Sequence, residues 1–533
     1  MKNPPKITLD DIARQAGVST AAVSQALSGK GNLSPATRER ILQVVEELSY
    51  QPDKVAQSLA LRRASQVYGK RLPASKNKRL PPPGVMVFYN LPELEEVLLL
   101  EIQQREEEGY EVSQFRQNLA QWNKPTKQKL YRLYSELLSA PRRPDFHYVE
   151  PESLTAIRAA RPAGPRQEAL SLSANVLYDR IFGAWLGRTA GCVCGKPLQA
   201  GLSKKQIMAY LQQAGNYPLG GYVPRLVPLP PDFTLNPHSE GAFRGEIRGA
   251  PQDDDTDYTL LSLHILESYG LDFKTAQVAT EWLEHIPYFA TFTTERTVYR
   301  NLVWNIHPDQ AADYANPERE FIGGRTRADL YGYITPGKPE LAAALAYKDA
   351  ALSHTKNGVY AAMLTAAMIS WAYVTSDPLE LVQVGLSEIP AGCRLAQAVQ
   401  EALDAHQRGE DWELAYEQML LKYGSYSPIH AINNTLWMIL ALLYSQGSFE
   451  RALGIALTCG MDTSSNAASV GSILGLLYGA SRLPAHWIDP LEDTLYTGIA
   501  RYSEVRLSEL ARRTARLAEM VLSNHSLNAK EDK

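Results

Sequence analysis

Four carboxylates, Asp253, Asp254, Asp255 and Asp257, fall within five residues and open a mostly apolar run from Leu260 to Leu266. No other stretch restricts the fold as much. Like charges at that density repel one another, so a chain can fold them together only if they stay solvated or if cations neutralise them. An oxygen-rich set without nitrogen or sulfur donors suits Mg²⁺ or Mn²⁺ rather than zinc. The same residues also read as the acidic first turn of a helix, where carboxylates favour the macrodipole. The segment Gly460-Met461-Asp462-Thr463-Ser464-Ser465-Asn466-Ala467-Ala468 tips the balance toward a cation, because it again places small oxygen donors at the opening of an apolar helix.

At 533 residues, 45% hydrophobic and 21% charged, the chain is long enough for two or three soluble globular domains. The net charge of −4 hides an asymmetry. Residues 1–80 hold fourteen Lys and Arg against six acids, a net +8, which leaves −12 on the rest. A basic head on an acidic body points to a nucleic-acid partner for the head. The four cysteines, Cys192, Cys194, Cys393 and Cys459, are too scattered for a disulfide framework, and Cys192-x-Cys194 has no second pair to complete a metal site. No signal-peptide pattern opens the chain. The longest apolar run, Val359 to Val374, is too short to cross a bilayer, so a cytoplasmic protein without membrane contact is expected.

In the head, Thr8 caps a helix carrying Leu9, Ile12, Ala13 and Ala16, and Gly17 ends it. Ser19 caps a second helix with Val18, Ala22, Val23, Ala26 and Leu27 inward, and Ser34-Pro35 opens a third with Ile41, Val44, Val45 and Leu48 on one face. Three short helices with a tight turn after the first predict a helix-turn-helix domain. Thr8-Leu9-x-Asp11-Ile12-Ala13, Ala16-Gly17-Val18-Ser19, Val23-Ser24, Ser34-x-x-Thr37-Arg38 and Tyr50-x-Pro52 closely resemble the DNA-binding domain of the lactose-repressor family. The resemblance implies base-reading side chains at Thr20, Ala21 and Gln25, beside the cap Ser19, on a helix in the major groove. It also implies a hinge helix over residues 53–60 whose Leu59 wedges into the minor groove. A wedge of this kind needs two copies side by side, so a homodimer on a pseudo-palindromic double-stranded operator is expected.

Lys70 to Gly84 is basic and proline-rich, a linker. The helical segments that follow, Pro92–Tyr110 and Leu119–Leu138, carry no evident chemistry, and the strand–helix alternation of a sugar-binding effector module is missing. From Tyr178 to Leu522 the pattern is helical almost throughout. The expected organisation is mainly α: residues 1–64 a three-helix DNA-binding domain with hinge helix, 65–84 linker, 85–170 a helical extension, and 171–525 a large all-α domain.

That last domain resembles the ADP-ribosylglycohydrolase family. The resemblance rests on the acidic segment at 252–259, Gly460-Met461-Asp462-Thr463, the glycine-stepped Gly183-Ala184-Trp185-Leu186-Gly187 through Gly191 and Gly195-Lys196-Pro197, the middle segment Asp349, Ser353-His354 and Asn357-Gly358, and Leu474-Gly475-Leu476-Leu477-Tyr478-Gly479. It implies hydrolysis of a glycosidic bond at ribose C1 and two Mg²⁺ ions, with Mn²⁺ as an alternative. Asp253, Asp254, Asp255, Asp462, Ser464 and Ser465 stand at the metal-ligand positions, Asp254 and Asp255 also at the catalytic ones. His354, Asn357, Gly358 and His430 are expected on the substrate side, although a buried histidine also serves as hydrogen-bonded core. One departure stands out: the family's second aspartate of the late motif is Ser464 here, which removes a charge and a hard-cation ligand and weakens the second ion. Two functions stay open, a transcription regulator sensing an ADP-ribose-like or ribosyl ligand, and an active glycohydrolase carried to DNA by its head.

Overall fold

The computed structural model describes residues 9–19, 22–23, 34–47, 91–123, 125–199, 201–231 and 233–531. Thr20, Ala21, Gln25, Leu59, the expected hinge helix and the linker lie outside these residues. The chain divides into two compact units, Met1–Arg79 and Leu80–Lys533.

In the first unit, α1 (Leu9–Ala16) ends at Gly17, whose φ of +64° is a left-handed backbone that a side chain would strain. Ser19 Oγ then accepts the Ala22 N–H, the expected cap of the second helix. Ser34 Oγ accepts the Thr37 N–H at the start of α2 (Pro35–Glu47). Ala13, Ala16, Val23, Ile41 and Val44 close a small buried core.

The second unit is all-α apart from one hairpin. Its extension comprises α3 (Leu91–Glu107), α4 (Ser113–Gln121) and α5 (Lys127–Leu137), packed around Leu94, Leu98, Ile102, Leu130 and Leu133. Then come α6 (Leu154–Ala160), α7 (Ala174–Gly195), α8 (Lys204–Gln213), α9 (Asp254–Tyr269), α10 (Thr275–His285) and α11 (Thr293–Val303). After α12 (Pro339–Ala350) and the wholly buried α13 (Lys356–Trp371) follow α14 (Pro378–Leu386), α15 (Arg394–Gln407) and α16 (Trp412–Tyr423). The series closes with α17 (Ala431–Leu443), α18 (Phe449–Thr458), α19 (Thr463–Tyr478) and α20 (Leu507–Glu531). No helix among the described residues is long and apolar enough to cross a membrane.

The centre is the antiparallel pair α7 and α19. A Cβ at Gly183, Gly187, Gly191 or Gly195 would fall on the carbonyl oxygen of Gly475, Gly471, Ala467 or Thr463, respectively. Glycines four apart line one helix face, so the two backbones touch without intervening side chains. The sequence places a helix from Glu504 onward, but Glu504–Arg506 forms strand β2, paired antiparallel with β1 (Thr494–Tyr496). Helix α20 starts only at Leu507, because Asp493 caps it there, accepting from Ser508 N at 2.7 Å and Ser508 Oγ at 2.6 Å.

The extension is tied down by charge. Glu101 and Glu108 of the α3 segment pair with Arg319 at 2.9 and 2.8 Å, Lys356 reaches Glu108 at 2.8 Å, and Gln104 donates to Glu320 at 2.7 Å. All of these groups are buried. A buried charge left without its partner is costly, so this network ties the extension to the domain that follows it.

Candidate metal centre and ligand cleft

Both central motifs sit at helix N-termini. Asp253 is the N-cap of α9, its Oδ1 accepting the Asp255 N–H at 3.1 Å. Asp462 is the N-cap of α19, its Oδ1 accepting the Ser465 N–H. Ser465 Oγ donates to Asp255 Oδ1 at 2.9 Å, so the two motifs meet directly. Behind them the fully buried Arg188 of α7 grips the Asp255 carbonyl at 2.6 Å and Asp329 at 2.5 Å. The Asn434 carboxamide oxygen accepts from Asp462 N at 3.2 Å and from Asn466 Nδ2 at 2.9 Å, fixing the opening turn of α19.

These residues floor a cleft of about 690 Å³. Asp253, Asp254, Asp462, Ser465, Lys196, Gln199 and Glu295 supply its polar side, and Phe289, Phe292, Ile322, Ile429 and Met461 its apolar side. Phe289, 86% exposed, stands at the lip with an open aromatic face. Two residues on the wall, Thr293 and Met461, hold left-handed backbones at φ +39° and +61°. Such strain in residues with side chains concentrates at functional sites, where the surrounding structure imposes it.

The electrostatics divide the carboxylates. Lys196 Nζ lies 2.6 Å from Asp253 Oδ2 and donates to the Gln252 carbonyl at 2.7 Å. Burial alone would neutralise this lysine, but the Asp253 carboxylate overrides it and holds the ammonium charged; Asp253 stays below its usual range in turn. Asp254 has no such partner: it makes no hydrogen bond or ion pair among the described residues. Burial, then Asp253, Asp255, Asp462 and Glu295, push its carboxyl well up. Asp255 is driven to about 8 by burial and by Asp253 and Asp462, and its Oδ2 has no hydrogen-bond partner. The buried, unpaired Asp255 Oδ2 and the half-buried, partnerless Asp254 carboxyl are the kind of oxygen donors a hard cation takes up. With Asp462 they make a donor set that would suit a hard divalent cation in this cleft.

The surroundings of Ser464 are different. Gln199 Nε2 donates to Asp462 Oδ1 at 2.8 Å, and Ser464 Oγ donates to Gln199 Oε1 at 2.9 Å. A closed chain of neutral groups stands at the position of the missing aspartate. On the other side of the acids, Arg325 donates to Asn466 at 2.7 Å, and Arg327 holds Glu295 at 2.8 Å.

The four residues expected on the substrate side lie behind the cleft lining. His354 is buried, accepts the Gly324 N–H at Nε2 (3.2 Å) and faces Ser353 Oγ at Nδ1 (2.8 Å). Burial and Arg327 keep it neutral, so it shapes the Gly323-Gly324 turn that borders the cleft. Asn357 donates to Glu150 and Glu320 and accepts from Leu395 N, within the network that anchors the extension. Gly358 packs on His354 and the Arg319 carbonyl. His430 caps α17 at Ile432 N and stacks on Tyr426, its pKa lowered to about 3 by burial. Lys196 stands in the glycine-stepped segment without a role assigned to it there, and Gln199, just past it, was not singled out. Glu295, Phe289 and Phe292 carry no motif and enter only through the fold. Cys192 and Cys194 are buried free thiols, Cys192 beside Asp253 and Asp255.

An all-α domain in which the N-termini of α9 and α19 deliver carboxylates to one cleft defines the class of this protein. The family model for ADP-ribosylglycohydrolase matches residues 173–522, and the chain belongs to that family. A second model, bacterial regulatory proteins of the lacI family, matches residues 8–53, so a DNA-binding helix-turn-helix domain is fused to the glycohydrolase domain. Among curated proteins the head is 43% identical over 65 residues to HTH-type transcriptional regulator pepR1 of Lactobacillus delbrueckii subsp. lactis, covering 12% of this chain and 20% of that one. It is 41% identical over 61 residues to catabolite control protein A of Priestia megaterium, covering 11% and 18%. The chain thus spans about a fifth of the length of these relatives. A solved structure titled "ADP-ribosylglycohydrolase-related protein complex" aligns with 65% of this chain and 99% of its own at 19% identity and a TM-score of 0.40.

Proposed function

We propose that this protein is a transcriptional regulator that binds a DNA operator as a homodimer through its head and senses an ADP-ribose-like or ribosyl ligand in the acidic cleft. The observation that carries this reading is the partnerless, half-buried Asp254 and the unpaired Oδ2 of buried Asp255, beside a neutral Gln199–Ser464 pair bonded to Asp462. The carboxylates call for a cation, while the neutral pair lacks the charge a second ion requires. A bound Mg²⁺ would supply Lewis acidity and a grip on ribose hydroxyls. The chain's own groups then define the ligand: Lys196 and Gln199 offer donors, Glu295 offers an acceptor, and Phe289 and Phe292 offer faces on which a planar base stacks. The second reading, turnover at ribose C1 by a DNA-localised glycohydrolase, uses the same residues and differs in whether one ion suffices. Isothermal titration of ADP-ribose into the full chain with Mg²⁺, beside an assay of product release, separates the two. Saturable binding without product supports the sensor, product supports the hydrolase, and no binding rejects both.

For the head, Gln25→Ala is expected to cost about 1–3 kcal/mol at one base pair of the operator. Leu59→Ala is expected to weaken specific binding much more than non-specific binding, because a minor-groove wedge acts only on bent DNA. Gel-shift titrations on operator and random duplexes at fixed salt check both. Equal losses on the two duplexes would count against the wedge.

The acids also set a pH dependence. Asp255 titrates near 8 in the folded chain against an ordinary value of 3.8, and Asp257 is raised to about 7, also chiefly by burial. Between those values the native state holds protons that the unfolded chain has released, so stability falls as pH rises through the window. Thermal melts of the chelator-treated protein should drop from pH 5 to about pH 8, and Mg²⁺ should flatten that slope. A melt unchanged across the window would contradict the packing of the acids.

A further inference from the structure

On the face of α9 remote from the acidic turn, His264, Glu281 and His285 bring their donor atoms within 4.8 Å of one another. We propose that these three side chains form a second metal site, for a Zn²⁺-class transition ion, separate from the acidic cleft. His264 lies ten residues along α9 from Asp254, about 15 Å at the helical rise. Glu281 and His285, spaced i and i+4, share one face of α10.

The donor set and spacing carry the assignment. Glu281 Oε2 lies 3.1 Å from His264 Nε2 and 3.0 Å from His285 Nδ1. Donors at about 2.0–2.1 Å from a tetrahedral ion are separated by roughly 3.3 Å, close to both separations from Glu281 Oε2. Two imidazoles and one carboxylate suit zinc, cobalt or nickel and disfavour Mg²⁺. Two of the three ligands carry the outer groups that a metal site uses to orient them. Tyr502 OH sits 3.0 Å from the other nitrogen of His264, and Tyr269 OH donates to the other oxygen of Glu281 at 2.5 Å. Three protein ligands leave a fourth position, reached from solvent past His264, whose side chain is 17% exposed, while His285 is 2% exposed. His285 Nδ1 also lies 3.3 Å from the Glu281 carbonyl, a contact that a bound ion displaces with the ring proton carried on Nε2 instead. The His285 carbonyl accepts the Ala500 N–H at 2.8 Å. An ion here would therefore pin α9, α10 and the β1–β2 loop together behind the acidic cleft.

The test uses the full chain, stripped with chelator and then held in excess Mg²⁺ to occupy the acidic cleft. Titrated Co²⁺ is expected to bind once per chain with a visible ligand-field band, and one equivalent of Zn²⁺ should displace it. His264→Asn, at the exposed edge where folding is checked by circular dichroism, should abolish the band, and Asp254→Asn should leave it intact. Tyr502→Phe, which keeps all three ligands, should weaken Zn²⁺ by about 10–100-fold. Absence of stoichiometric Co²⁺ overturns the proposal. So does a band that survives His264→Asn but disappears in Asp254→Asn, which would reduce the cluster to a hydrogen-bonded histidine pair.

Discussion

Gly191→Val is expected to leave the second unit unable to fold. The Cβ alone falls on the Ala467 carbonyl oxygen and close to the Ala468 nitrogen, both backbone atoms of α19 that no rotamer change can move aside. Relieving the contact means separating two helices that are buried throughout the stretch where they touch, Gly183 to Gly195 and Thr463 to Gly475. Overpacking a core that can adjust costs about 1–3 kcal/mol. Here the adjustment would also open the floor of the cleft, and the loss should match or exceed the whole stability of a domain, about 5–15 kcal/mol. Gly220→Val is the control, since the nearest atom to a Cβ there is Asn216 Oδ1 at 3.9 Å. Soluble yield and circular-dichroism melts of the two variants check this, and a Gly191→Val protein melting with the wild type would refute the backbone contact.

Asp254→Asn is expected to abolish most of the stabilisation that Mg²⁺ confers. A cation that binds only the folded chain stabilises it by about 2.7 kcal/mol at a hundredfold excess over its Kd, a rise in Tm of a few degrees. Asp254 is the acid with no partner to satisfy it, so the amide keeps its shape and removes the ligand. The same substitution should raise Tm without metal, because an amide, unlike the carboxyl, need not be held in the protonated form that burial and then Asp253, Asp255, Asp462 and Glu295 impose. Opposite shifts with and without Mg²⁺ are difficult to obtain from a structural defect. Ser464→Asp runs the other way: it disrupts the neutral Gln199–Ser464 bond, supplies the missing carboxylate and should tighten a second ion. Calorimetric titration of Mg²⁺ into both variants measures this. If Ser464→Asp leaves the stoichiometry and affinity of the wild type, Ser464 is not what limits the site.

Much of this was readable in the chain because its signals are local. The helix-turn-helix announces itself by caps and spacing within short segments, and Ser19 and Ser34 cap as expected. Asp253 and Asp462 are legible because each opens an apolar helix. The glycine steps show that a second backbone comes close, although not which one. What stayed hidden depends on contacts distant in sequence. Lys196 sits just past the glycine steps, yet only the turn after α7 shows that its ammonium reaches Asp253. Glu295 lies in an ordinary amphipathic helix and reaches the cleft because Arg327 holds it. Asn357 and His430 were expected at the ligand, but the buried carboxylates of Glu150 and Glu320 claim the first and a cap of α17 the second. The extension looked featureless because its glutamates and glutamine resemble solvent-facing residues until Arg319 and Glu320 are placed opposite them.

The contacts between α7 and α19 also act as a ruler. They recur every four residues, about 6 Å of rise, on both helices. Sliding one helix by a single residue would drive side chains into carbonyls at every mark together, so intermediate alignments are closed. Thr463 Oγ1 donating to the Gly195 carbonyl at 2.8 Å sets the zero of that scale. The spacing between Asp462 and the Lys196–Gln199 turn is thereby independent of the groups that face the cleft. Ser464 and Ser465 can differ from one sequence to another while the frame beneath them keeps its dimensions. A pocket built on such a gauge can trade catalysis for recognition, or recover it, one side chain at a time.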